Sequence, residues 1–184
     1  MKIQSLILAS AAALAFSAPS FAADWFVGGG VGAQQNDYSH KPIDGGKFSD
    51  DDRNAVYMVR GGAFLTPKQR LYATYSYNSD DFAKQQMGLV SYDYLVGLDQ
   101  DHKLNWFVGA SAGINHTSPD SGALGSDNNF VWGGQTGLVY KLNDNLNTEI
   151  GYRYLKQDYD NKIDTGKYAL DNTQQLYLSV DYRF

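Results

Sequence analysis

From Trp25 onward one pattern recurs along the chain: apolar residues fall at alternate positions, and the positions between them are small, polar or charged. Successive side chains of an extended strand point to opposite faces, so this period predicts strands with one apolar and one polar face. Eight such blocks are legible, one opening at Trp25 and the others at 55–65, 71–77, 87–98, 104–115, 130–142, 146–155 and 172–184. The links between blocks mostly alternate in length. Residues 66–70, 99–103 and 143–145 form short links, whereas 36–54, 78–86, 116–129 and 156–171 are long and polar. A hairpin ladder of this kind predicts an all-β fold, an eight-stranded antiparallel up-and-down barrel.

The two faces decide what surrounds such a barrel. One face carries Tyr57, Val59, Tyr75, Val90, Tyr92, Val108, Ile150, Leu178 and their equivalents, and no charge in any block. The opposite face carries Arg60, Asp93, Glu149, Arg153, Asp181 and Arg183. A soluble barrel turns its polar face to water, and it would seldom end its strands in aromatic residues. A membrane barrel turns the apolar face to lipid and sets aromatics at the two interfaces. The second arrangement fits, which predicts a transmembrane β-barrel. Trp25, Trp106 and Tyr140 then mark the short-turn interface, and Trp132 and Tyr154 the long-loop interface. With 14 Tyr, 9 Phe and 3 Trp, the chain has far more buryable aromatic surface than a disordered sequence.

The six inward charges are expected to form a neutral lumen network, with Glu149 level with Asp181 and Arg183 across the last two strands and Arg183 relieving both carboxylates. An eight-stranded interior is only wide enough for side chains to fill it, so a fixed network is favoured over an ion path. The inward glycines Gly28, Gly30, Gly32, Gly109, Gly113, Gly133 and Gly137 are expected to make room for large lumen side chains. A dinucleotide loop at residues 28–32 is set aside, because no helix follows it.

Chemistry has little to work with. Cysteine is absent, which excludes disulfides, thiol catalysis and thiolate metal sites. Of His40, His102 and His116, only His116 has a hydroxyl and a carboxylate nearby in sequence, Ser118 and Asp120, in a loop that does not fix a nucleophile and base. No enzyme activity, cofactor or metal is expected. The run Asp50, Asp51 and Asp52 lacks EF-hand spacing and is read as a solvated loop, with cation bridging to lipopolysaccharide phosphates as the alternative. A net charge of -5 without a basic cluster argues against nucleic acid.

At the N-terminus, Lys2, an apolar stretch over 6–16, Pro19 and the triplet Ser20, Phe21, Ala22 predict a secretory signal over 1–22, leaving a barrel over 23–184. The apolar stretch is too short to span a bilayer as a helix.

Three further stretches carry a resemblance. Tyr92-Asp93-Tyr94-Leu95-Val96-Gly97-Leu98-Asp99, Gly151-Tyr152-Arg153-Tyr154 and the terminal Tyr177-Leu178-Ser179-Val180-Asp181-Tyr182-Arg183-Phe184 make the chain similar to the small outer-membrane β-barrel family, which includes opacity-type surface proteins and OmpA-like transmembrane domains. The resemblance implies a multi-pass place in the bacterial outer membrane. It also implies that the ending with Tyr182 and Phe184 serves as a signal to the barrel-assembly machinery. The implied partners are outer-membrane lipids, lipopolysaccharide and a surface ligand met by the long loops, with the barrel itself monomeric. A structural or adhesin-like role is expected, a narrow pore or small-solute conduit being the alternative and a lipid-modifying enzyme a remote one.

Overall fold

The computed structural model describes residues 24–41, 51–79, 83–101, 103–119, 127–157, 161–163 and 166–184. The expected signal segment, His102, Asp50 and Asp120 lie outside the described residues, as do the side chains of His40, Asp51, Asp52 and Ser118. Among the described residues there are nine strands: β1 (Asp24–Lys41), β2 (Asp51–Thr66), β3 (Gln69–Ser79), β4 (Ala83–Gly97), β5 (Leu104–Pro119), β6 (Asp127–Lys141), β7 (Leu146–Gln157), β8 (Asn161–Ile163) and β9 (Gly166–Arg183). Consecutive strands pair antiparallel from β1 to β7, β7 pairs with β9, and β9 pairs with β1, so eight strands close on themselves without an edge. The three-residue β8 pairs only with the outer end of β9.

The strands run further than the apolar pattern does. β1 reaches Lys41, β2 begins at Asp51 and β9 at Gly166, within segments whose composition reads as loop. Their pairing continues because a ladder hydrogen bond depends on the backbone, not on alternation of side chains. Asp37 still faces Asn172, and Lys41 still faces Lys167, past a bulge at Asp37 and Tyr38. Crossing the hydrocarbon takes about 9–11 tilted residues. The excess length carries the barrel wall beyond the membrane at one end.

At the other end the turns are tight. Asp99 accepts hydrogen bonds from the Lys103 and Leu104 amides, and Asn143 from those of Asn145 and Leu146. Short polar side chains thus close these turns on their own backbone. The first link is tighter than 66–70: Pro67 and Lys68 alone separate β2 from β3. Proline presets the turn, and Arg70 consequently belongs to β3 with its side chain fully buried.

The apolar face points outward. Tyr57, Val59, Val90, Phe130, Leu176 and Leu178 are each more than half exposed. Polar atoms on this face near the hydrocarbon are paired: Trp106 donates to the Thr136 hydroxyl at 2.9 Å, and that hydroxyl donates to the Phe107 carbonyl. With every barrel strand paired on both sides, the molecule should hold its shape in detergent until heated. Gel mobility of refolded protein is therefore expected to differ between boiled and unboiled samples. Identical mobility would contradict ring closure.

Candidate functional site

The lumen is filled in layers along the barrel axis. Nearest the short turns, Phe26, Phe64, Tyr72, Leu95, Phe107 and Val139 form an apolar floor. Phe26 packs against Phe64 and Tyr72 with ring centroids 5.5 and 5.9 Å apart, at tilted angles that suit aromatic quadrupoles. Nearer the long-loop end, Val56, Met58 and Tyr177 form one apolar group, and Met87, Leu89, Val131 and Leu155 another.

Between them lies the charge cluster. Arg60 projects from β2 across the lumen, with Nη1 2.8 Å from Glu149 Oε1 and Nη2 2.5 Å from Asp181 Oδ2. Arg70 projects from β3 and places Nη1 2.7 Å from Glu149 Oε2 and Nη2 2.7 Å from Asp93 Oδ2. Glu149 is therefore held between two guanidinium groups, and Tyr177 donates a further hydrogen bond to it at 2.9 Å. Asp93 also accepts from the Tyr72 hydroxyl and from Gln135. The planar, multiply donating guanidinium suits this role better than an ammonium, because one side chain meets two carboxylates in fixed geometry.

The expected membership changes in two places. Arg183 does not enter the cluster. Strand register sets Glu149 opposite Ser179 and Asp181 opposite Asn147, so Arg183 falls past the end of β7. At the rim it pairs with Asp24 at 2.5 Å and stacks over Phe64, 4.3 Å from the ring centroid. Arg70, which a longer turn would have left outside, takes its place. Its guanidinium also stacks on Tyr72 and Phe107, 5.0 and 4.8 Å from their centroids. The signal was present, since counting back by twos from Tyr72 puts Arg70 on the inward face.

Arg153 is inward and fully buried but meets amides, not carboxylates. Its Nε donates to Gln135 at 2.8 Å, its Nη1 lies 3.4 Å from Gln175, and it stacks over Tyr177. Gln175 donates to Gln34, and Gln34 donates across the lumen to Gln85. Ser111 links Ser91 to Gln135. One connected set of hydrogen bonds and ion pairs thus touches all eight barrel strands. Among the described residues, the buried ions Arg60, Arg70, Arg153, Asp93, Glu149 and Asp181 balance in sign, and each is at most 3% exposed. Burying one such ion alone would cost several kcal/mol, and pairing removes most of that cost.

Glycines give the cluster its space. A Cβ on Gly28 would meet the Asp181 carboxylate, one on Gly109 the Asp93 carboxylate, and one on Gly151 the Tyr177 ring. A cavity of about 250 Å³ at the short-turn mouth is lined by Asp24, Asn105, Lys141, Asn147 and Arg183 above Phe64, Leu95 and Val139, and it ends at this floor.

The interface aromatics lie on the outer wall. Trp106, Trp132 and Tyr140 are exposed there, whereas Trp25 and Tyr154 are half-buried beside their strand neighbours. Tyr182 and Phe184 are exposed at the short-turn end, where the Phe184 amide donates to the Trp25 carbonyl at 3.0 Å.

A family model described as the outer membrane protein beta-barrel domain matches residues 8–184. Among solved structures, neisserial surface protein A superposes with a TM-score of 0.64 at 18% identity, covering 87% of this chain and 97% of that one. Outer membrane protein H of Pseudomonas aeruginosa superposes at 0.61 with 25% identity, covering 88% and 99%. The outer membrane protein OprG of the same species gives 0.62 at 14%, covering 89% and 96%. No curated protein matches the chain by sequence.

Proposed function

Because this chain belongs to the outer membrane protein beta-barrel domain family, we propose that it is an outer-membrane wall element and surface-interaction protein whose lumen is sealed, rather than a pore or an enzyme. The observation that carries this reading is the cross-lumen network. Ionic, amide and hydroxyl side chains from every barrel strand meet in mid-lumen, and a floor of aromatic and aliphatic side chains lies beneath them. An ion crossing this region would have to separate paired, buried charges, each of which costs several kcal/mol to leave unpaired.

The wall meanwhile extends beyond the hydrocarbon at the long-loop end, which offers a paired, preformed surface to whatever lies outside. The lipid-facing side supplies anchorage. A barrel closed edge to edge needs no second subunit, so a monomer suffices.

The test is conductance across planar bilayers. The unaltered protein is expected to give only small, infrequent openings. Steady, ion-selective conductance would overturn the sealed-lumen reading in favour of a narrow channel.

A further inference from the structure

The cavity of about 250 Å³ at the short-turn mouth is organised on one side by three neighbouring strands. Register sets Asn105 on β5 opposite Val139 on β6. It sets Lys141, the next inward position of β6, opposite Asn147 on β7. Asp24, Phe64 and Arg183 line the cavity from β1, β2 and β9. Depth sorts this lining by chemistry. Phe64, Leu95 and Val139 are buried at the bottom, whereas Lys141 and Arg183 are partly covered and Asp24 is exposed at the rim.

Two polar groups of the wall are left open by the fold. Asn147 is 2% exposed, yet its Oδ1 has no hydrogen-bond partner. An unsatisfied buried acceptor costs stability and calls for a donor. Lys141 enters no ion pair among the described residues, while Arg183 is taken by Asp24. The charged side chains lining the cavity are two cations and one carboxylate, so the lining carries one net positive charge. The open ammonium and the open acceptor belong to residues directly opposite each other, whose Cβ atoms such pairing sets about 4.5 to 5.5 Å apart.

We infer that this mouth binds a small monocarboxylate that carries a hydroxyl on the carbon next to the carboxylate and an apolar tail beyond it. The tail rests on Phe64, Leu95 and Val139, the carboxylate meets Lys141, and the hydroxyl donates to Asn147 Oδ1. One side chain supplies the charge and its cross-strand neighbour the acceptor, which matches two polar groups on adjacent carbons. The net positive lining favours an anion over a zwitterionic amino acid, whose ammonium would lie beside Lys141 while Asp24 is held by Arg183. The volume lies below the roughly 300 Å³ at which drug-sized pockets begin, which suits a ligand this small. The site is on the near side of the apolar floor and stands whether or not the lumen conducts.

The test titrates the isotope-labelled, refolded full-length barrel in zwitterionic micelles with hydroxyisocaproate, isocaproate and leucine, and follows amide chemical shifts. Hydroxyisocaproate is expected to move the signals of Asn105, Val139, Lys141 and Asn147, and to leave those of Val59 and Leu178 on the outer wall in place. Lys141→Gln should weaken its binding by about tenfold, the contribution of one hydrogen bond to a charged group. Isocaproate, which lacks the hydroxyl, should bind the unaltered protein about fivefold more weakly, and Asn147→Ala should abolish that difference. Leucine should also bind more weakly than the hydroxy acid. Gel mobility checks folding of the variants, and the comparison of the three ligands on the unaltered protein stands without them. Unchanged affinity in a folded Lys141→Gln would overturn the assignment. So would isocaproate or leucine binding as tightly as hydroxyisocaproate, and so would shifts confined to the outer wall, which would mean partition into the micelle alone.

Discussion

Replacing Arg60 by alanine is expected to destabilise the barrel by about 3 to 5 kcal/mol, the usual loss when one partner of a buried ion pair is removed. Arg60 is the partner of both Glu149 and Asp181. Glu149 retains Arg70, but Asp181 would face the lumen uncompensated. Arg60→Lys should recover only part of the loss, because a single ammonium cannot reproduce the paired guanidinium contacts to both carboxylates. Arg153→Ala should cost less than Arg60→Ala, since Arg153 bonds to the amides of Gln135 and Gln175 and strands no carboxylate. Denaturant unfolding of the three variants in detergent, followed by gel mobility, checks the order. If Arg60→Ala and Arg153→Ala proved equally damaging, the cluster would not be centred where the structure puts it.

The second large effect concerns close approach. Gly109 lies against Asp93, so the Cβ of Gly109→Ala would collide with the Asp93 carboxylate and with the Tyr92 carbonyl behind it. The carboxylate cannot move away freely, because Arg70, Tyr72 and Gln135 all hold it. Overpacking of this kind costs about 1 to 3 kcal/mol, and here it would also loosen the ion pairs. Gly88→Ala is the matched control. Gly88 is on the outer face with nothing near the added carbon, so this change should be neutral, or stabilise by about 0.4 to 1 kcal/mol through the unfolded chain. Unfolding midpoints of the two variants should thus move apart. A neutral Gly109→Ala would show that the Asp93 side chain has slack that the packing does not reveal.

These two effects rest on features of different legibility. The barrel itself was readable from the sequence, because alternation with a charge-free face is a local property. Each residue from Tyr57 to Leu65, or from Leu104 to Asn115, shows its face through its immediate neighbours. The inward set is readable for the same reason, and parity alone places Arg60, Asp93, Glu149, Arg153 and Asp181 in the lumen. Glycines at inward positions could also be expected to make room for something.

What parity cannot give is height along the axis. Whether Glu149 meets Arg183 or Arg60 depends on strand register, on tilt and on how far each side chain reaches across the lumen. Register between β7 and β9 set Arg183 beyond the last paired residue, where it pairs with Asp24 instead. The length of the first turn decided Arg70 in the same way, since two linking residues in place of five brought it into β3. Strand ends were hidden for a related reason: ladder pairing persists through polar residues that carry no periodic signal, as between Asp37 and Asn172. The class of fold and the face of each residue are thus local properties, because both follow from the two-residue period of an extended chain. Which arginine neutralises which carboxylate is settled by contact across the folded lumen, because these ion pairs join residues as far apart as Arg60 and Asp181, and no local pattern records that distance.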